Sequence, residues 1–179
     1  MAILDVITWP NKMLKQVSKP VSKVDSDLQK IMDDMLETMY SYQGIGLAAI
    51  QVAIPKRILV MDIGHSASRY QDSEYNSANP IYMVNPQIIH NSNRKSTYNE
   101  GCLSFPGQFA KVIRPEEIKV EYLDYHGKKQ TLTADGLLAT CIQHEIDHLN
   151  GIVFIDHISN LKRNMITKRL AKIHKNTPQ

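Results

Sequence analysis

Residues 141–151 read CIQHEIDHLNG, and His144, Glu145 and His148 are the side chains of this sequence best spaced for chemistry. On a helix, positions 144 and 148 lie one turn apart, about 6 Å along the axis and on the same side. Two imidazoles so placed converge on one metal ion, and the carboxylate of Glu145 stands beside it to take a proton from bound water. A solvated His–Glu pair on a surface helix is the alternative. The flanks LLATCIQ and IDHLNGIVF are apolar, so the helix is expected to be buried, and buried imidazoles and carboxylates need partners.

A hydrolytic metal centre normally takes three protein ligands and keeps one position open. Downstream of His148, the position of a third histidine in an extended metzincin motif is Phe154, and no Glu follows Glu145. Cys141 shares the helical face but lies seven residues from His148, about 10 Å along the axis and too far to join it on one ion. Asp156 stays open as a donor, although it sits in an apolar, strand-like run. Cys102, in NEGCLSFPG, is flanked by glycine and proline in a constrained turn suited to presenting a thiolate, and is the expected third ligand. Free cysteine is also a common small core residue, so the assignment rests on the need for a donor.

These residues need a frame to hold them. The chain has 179 residues, 42 % hydrophobic and 22 % charged, which suits one globular domain over 1–179. Apolar residues recur at three- to four-residue spacing from Leu28 to Met39, predicting an amphipathic helix capped by Asp25 or Ser26 with its methionines in the core. RILVMDI and IYMVNPQII read as strands separated by a polar loop over 64–79. EIKVEYLDYHGKKQTLTA alternates about a His-Gly turn and reads as a hairpin. The metal-binding helix is expected from about Asp135 to Asn150, ended by Gly151. A closing helix places Leu161, Met165, Leu170 and Ile173 on one face, expected to pack on the body. Helices at both ends of several short strands give an α+β fold.

Three stretches, GIGLAAIQ (44–51), EGCLS (100–104) and QHEIDH (143–148), resemble the signature motifs of the peptide deformylase family in order, type and approximate spacing. The N-terminal VITWPNKMLKQVSKPV is also similar, so the resemblance covers essentially the whole chain. It implies antiparallel sheets packed around a central metal-binding helix, in the form that ends in a helix. It implies removal of the N-formyl group from nascent chains beginning with formylmethionine, releasing formate. Cys102, His144 and His148 would then bind the metal, and Glu145 would be the catalytic carboxylate. The Gln51 side-chain amide and the Leu103 backbone N–H would stabilise the oxygen of the attacked carbonyl. Gly46 would hydrogen-bond the peptide backbone, and Ile45, Leu137 and Cys141 would line the methionine pocket. Family resemblance favours Fe²⁺, with Zn²⁺, Ni²⁺ or Co²⁺ able to replace it. Asp147 lies inside the buried motif and needs a partner; Arg114, where the resemblance places an arginine, is expected to pair with it, the alternative being that Asp147 caps a neighbouring turn.

Rival readings are a zinc endopeptidase, which needs a downstream ligand, and a non-catalytic metal-stabilised module. The second leaves Glu145 and Gln51 without a purpose, and structural zinc sites usually have four protein ligands. Two cysteines argue against a disulfide framework and for the cytoplasm. The longest apolar runs are too short to span a bilayer, and MAILDVITWPNK does not have the pattern of a secretory leader. From 158 onward there are six Lys/Arg and no acid, so the remainder carries a net −3 against +3 for the whole chain. A basic closing helix suggests docking on the ribosome near the exit tunnel, the alternative being an ordinary solvated face.

Overall fold

The apolar stripe from Leu28 to Met39 forms helix α1, Ser26–Ser41, and the side chain of Asp25 starts it by accepting the Leu28 N–H at 3.1 Å. Met32, Met35 and Met39 on this helix are wholly buried. The computed structural model describes residues 2–64 and 77–176, so most of the polar loop expected over 64–79 lies outside the described residues.

Strands β1 (Gly46–Ala48), β2 (Ile58–Met61) and β3 (Ile81–Asn91) are followed by β4 (Lys95–Cys102) and β5 (Phe105–Pro115), then by β6 (Glu117–Leu123) and β7 (Lys129–Asp135). One antiparallel sheet has the order β1-β2-β3-β6-β7, and β4 and β5 form a separate hairpin. The expected hairpin is β6–β7, turning at Gly127 with φ +76°. Every residue of β2 is buried because the sheet is covered on both faces. Ile58 and Val60 pack with α1, whereas Leu59 and Met61 pack with the helix that carries His144 and His148.

That helix is α2, Gly136–Leu149. Gly151, at φ +72°, ends it: its N–H bonds the His148 carbonyl and the Ile152 N–H bonds the Asp147 carbonyl. A β-carbon at Gly151 would lie 2.5 Å from the Lys15 carbonyl oxygen, so only glycine fits there. Arg57 covers the same end, donating to the Leu149 carbonyl at 3.3 Å and to Asn150 Oδ1 at 2.9 Å. The end of α2 that bears His148 is thereby held from three segments.

The β4–β5 hairpin is anchored through Phe105, which stacks with Trp9 and meets Phe154 edge-on in a core shared with Leu14, Val112 and Ile155. Antiparallel sheets therefore surround a central helix, as expected. Two expectations need correction. Asp156 lies in a short 3-10 helix, Phe154–His157, rather than in a strand. The closing helix α3, Asn160–Asn176, packs through Ile166 and Leu170, while Leu161, Met165 and Ile173 are 73 %, 46 % and 51 % exposed. No helix among the described residues is long and apolar enough to cross a membrane.

Candidate metal centre

The two imidazoles of α2 lie with ring centroids 5.0 Å apart, one turn from each other as the spacing requires. The turn between β4 and β5 brings Cys102 to them, with Sγ 3.2 Å from His148 Nε2. The ligand atoms of Cys102, His144 and His148 all lie within 4.8 Å of one another. Neither alternative donor joins them. Asp156 pairs with Lys15 and with Arg163 at 3.2 Å, and Cys141 directs its thiol to the Ile45 carbonyl at 3.7 Å. Burial pushes the Cys141 thiol well above the ordinary range, keeping it a neutral wall residue.

The donor set fits a metal on grounds internal to the protein. His144 turns Nδ1 to Glu100 Oε2 at 2.9 Å, which leaves Nε2 for an ion and fixes the ring's orientation. Glu100 is gripped in turn by Arg114, at 2.6 Å to Nε and 3.0 Å to Nη2. Arg114 also donates to Asp147 at 2.8 Å, as expected, and His157 Nε2 lies 2.7 Å from the same carboxylate oxygen. Burial alone would raise the Glu100 pKa, but hydrogen bonds from His144 and Arg114 hold it at about 2. Glu100 is the residue that motif reasoning left without a role. Its signal was an acid two places before the ligand cysteine.

Glu145 is 4 % exposed, and its Oε2 has no hydrogen-bond partner among the described residues. Burial pushes this carboxyl up to about 7; the charge on His144 opposes the shift and that on Glu100 adds to it. A carboxylate poised there exchanges protons near neutral pH. Gly46 makes room for it, since a β-carbon at that position would lie 2.6 Å from Glu145 Oε1 and 2.9 Å from Cys141 Sγ. Gln51 is buried with its orientation set: Oε1 accepts the Ala48 N–H at 2.8 Å, so Nε2 faces Cys102 Sγ at 3.4 Å and Ser104 Oγ at 3.2 Å. A cavity of about 430 Å³ opens over these groups, walled by Ile45, Gly46, Leu137 and Cys141, with Leu103 directly after the ligand cysteine. Every residue singled out for the site therefore borders the cavity or the ligand cluster.

A sulfur and two imidazole nitrogens beside a buried carboxylate, under a cavity open to solvent, make the layout of a metal-dependent hydrolase. A family model of polypeptide deformylase matches residues 3–164. The peptide deformylase of Pelagibacter ubique is 56 % identical over 176 residues, covering 98 % of this chain and 98 % of that protein. The crystal structure of peptide deformylase from Ehrlichia chaffeensis superposes with a TM-score of 0.89 at 41 % identity, covering 97 % of this chain and 98 % of that one. A structure from the same organism in complex with actinonin gives a TM-score of 0.88 at 42 % identity, covering 99 % and 100 %. The chain belongs to the polypeptide deformylase family. It is a metal-dependent enzyme that removes the N-formyl group from nascent peptides.

Proposed function

We propose a division of labour among the residues of this chain in removing the formyl group. Cys102, His144 and His148 hold the metal, which when bound supplies Lewis acidity and makes hydroxide available near neutral pH. Glu145 accepts the proton of the attacking water and delivers it to the nitrogen of the departing amine. Gln51 Nε2 and the Leu103 N–H donate to the formyl oxygen as negative charge builds there. Ile45, Leu137 and Cys141 receive the methionine side chain. Gly46 lies in β1, the edge strand of its sheet, where an extended peptide can add alongside and hydrogen-bond its backbone. The observation that carries this reading is a carboxylate oxygen, buried and without a hydrogen-bond partner among the described residues, beside a cluster of three metal-ligating side chains.

The metal in the cell is Fe²⁺, with Zn²⁺, Ni²⁺ or Co²⁺ as working substitutes. Thiolate–imidazole sets accept all four, and family resemblance selects iron. A ferrous site beside Cys102 is sensitive to oxygen, because an oxidised sulfur ligates poorly. The whole of 1–179 acts as one domain in the cytoplasm, where formylated chains emerge. Helix α3 docks on the ribosome near the exit tunnel, its exposed Lys162, Lys168, Arg169 and Lys172 meeting phosphate. Its solvent-facing Leu161 and Met165 are available for the same contact. Metal analysis together with formate release from formyl-Met-Ala, prepared under argon, tests the assignment. Iron-loaded protein should be active and lose activity in air more quickly than the nickel form, whereas a protein that binds metal without releasing formate would refute it.

A further inference from the structure

The short 3-10 helix Phe154–His157 meets the metal centre from two directions. Phe154, buried in the core, lays its ring beside that of His144, with centroids 6.2 Å apart and planes 24° from parallel. At the other end of the turn, His157 reaches back to α2 and places Nε2 2.7 Å from Asp147 Oδ2. Paired with Arg114, the Asp147 carboxylate is an acceptor, so His157 Nε2 carries the hydrogen of this bond. The same Asp147 oxygen accepts Arg114 Nη1 at 2.8 Å, Arg114 grips Glu100, and Glu100 Oε2 lies 2.9 Å from His144 Nδ1. The face of the His144 ring and its outer nitrogen therefore both lead back to one short turn. We propose that His157 is a positioning residue of the metal centre: by holding Asp147 it keeps Arg114, Glu100 and, through them, the His144 imidazole in the orientation that binds the ion. This rests on the reading above that Cys102, His144 and His148 are the ligands.

A side chain near the surface anchors others only if its own backbone is fixed. Ile155 of this turn is wholly buried, and Asp156 accepts the Val153 N–H at 2.9 Å while pairing with Lys15 and, at 3.2 Å, with Arg163. The turn is thus held without help from Asp147. Asp147 is 18 % exposed, and among the described residues its side chain is held only by Arg114 and His157. A carboxylate gripped by donors from two separate elements has one place. Gripped by Arg114 alone, it can swing to water and release that side of the guanidinium, which is then aligned only by Glu100. The competing explanation is that His157 merely ties the turn to α2. Its loss would then lower stability and leave metal binding unchanged.

The test compares the parent with His157→Phe, which keeps a ring without a donor, and with His157→Gln, whose amide can put an N–H where Nε2 stands. Zn²⁺ affinity is read by competition with a chromophoric chelator, and stability by melting the metal-free proteins. Losing a direct hydrogen-bond partner of a ligand costs about 10- to 100-fold in affinity, and His157 stands further out, so His157→Phe should bind Zn²⁺ about three- to tenfold more weakly. His157→Gln should recover most of that loss. The visible absorption of the Co²⁺-loaded proteins, which responds to ligand geometry, should shift in His157→Phe and return in His157→Gln. In an Asp147→Ala background, His157→Phe should cause no further loss of affinity, because the line is already cut. Equal Zn²⁺ affinity in parent and His157→Phe, whatever the melting temperatures, or losses that simply add in the double variant, would overturn the proposal. A parent protein that holds no metal would instead refute the ligand assignment itself.

Discussion

Replacing Arg114 by alanine removes one side chain from the middle of a line that runs from His144 through Glu100 and Asp147 to His157. Arg114 and Glu100 are each only 5 % exposed, and the substitution strips Glu100 of both guanidinium bonds while Asp147 loses one. Breaking a buried ion pair from one side costs about 3–5 kcal/mol, because the remaining charge stays out of water. Holding the Glu100 pKa at about 2 against its ordinary 4.5 corresponds to about 3 kcal/mol, shared between Arg114 and His144, which agrees with that range. For a chain of this size the melting temperature should fall by roughly 6–20 °C. The sign with pH follows from the depressed carboxylate. Its stabilisation is present above about 4.5 and is lost as pH falls through about 2, so the gap between parent and variant is widest near neutrality and closes in acid. Thermal melts of metal-stripped protein from pH 7 to pH 3 read this without release of the metal as the pH falls. His144 also loses the support that orients it, so metal affinity should drop about 10- to 100-fold in a chelator competition. Arg114→Lys should recover little, since an ammonium cannot replace the two parallel bonds. An Arg114→Ala protein with unchanged melting temperature and metal affinity would refute the reasoning.

Three further outcomes can be checked alongside. Cys102→Ala should lose the metal by elemental analysis, whereas Cys141→Ala should keep it and weaken methionine binding, seen as a raised KM; the reverse pattern would remove Cys102 from the ligand set. Gly46→Ala should keep the metal yet lower kcat by about 100-fold, because its new methyl group displaces the Glu145 carboxylate; parent-like kcat would show that the close approach is unimportant. Changing Lys162, Lys168, Arg169 and Lys172 together to glutamine spares Arg163, which pairs with Asp156. It should leave formyl-Met-Ala turnover intact and weaken ribosome binding, with a shallower salt dependence, and equal binding at low salt would reduce the basic face to solvated surface.

The elements with one strong physical signal were legible in the sequence. Helix α2 was marked by paired histidines, apolar flanks and a terminal glycine, and α1 by its stripe and its cap. The β4–β5 hairpin was hidden because its alternation of burial is not one of hydrophobicity. Gln108 and Arg114 point inward, whereas Phe109 and Ile113 point out. Packing of α3 failed for a related reason. Apolar residues occur on more than one side of that helix, and periodicity does not say which side the body covers. At the site, the placing of His144, His148 and Glu145 together followed from residue type and spacing, and the arrival of Cys102 beside them from the need for another donor. Glu100 could not be assigned that way. Its role depends on a register that sets it against His144 and Arg114, two residues remote in sequence.

The central claim separates holding the metal from moving the proton, and Glu145→Ala tests it most directly. Cys102, His144 and His148 are untouched in this variant, so one metal per chain should remain. Formate release from formyl-Met-Ala should fall by about 10²–10⁴-fold or more, with no recovery on raising the metal concentration. Near-parent turnover by a fully metal-loaded Glu145→Ala protein would contradict the account.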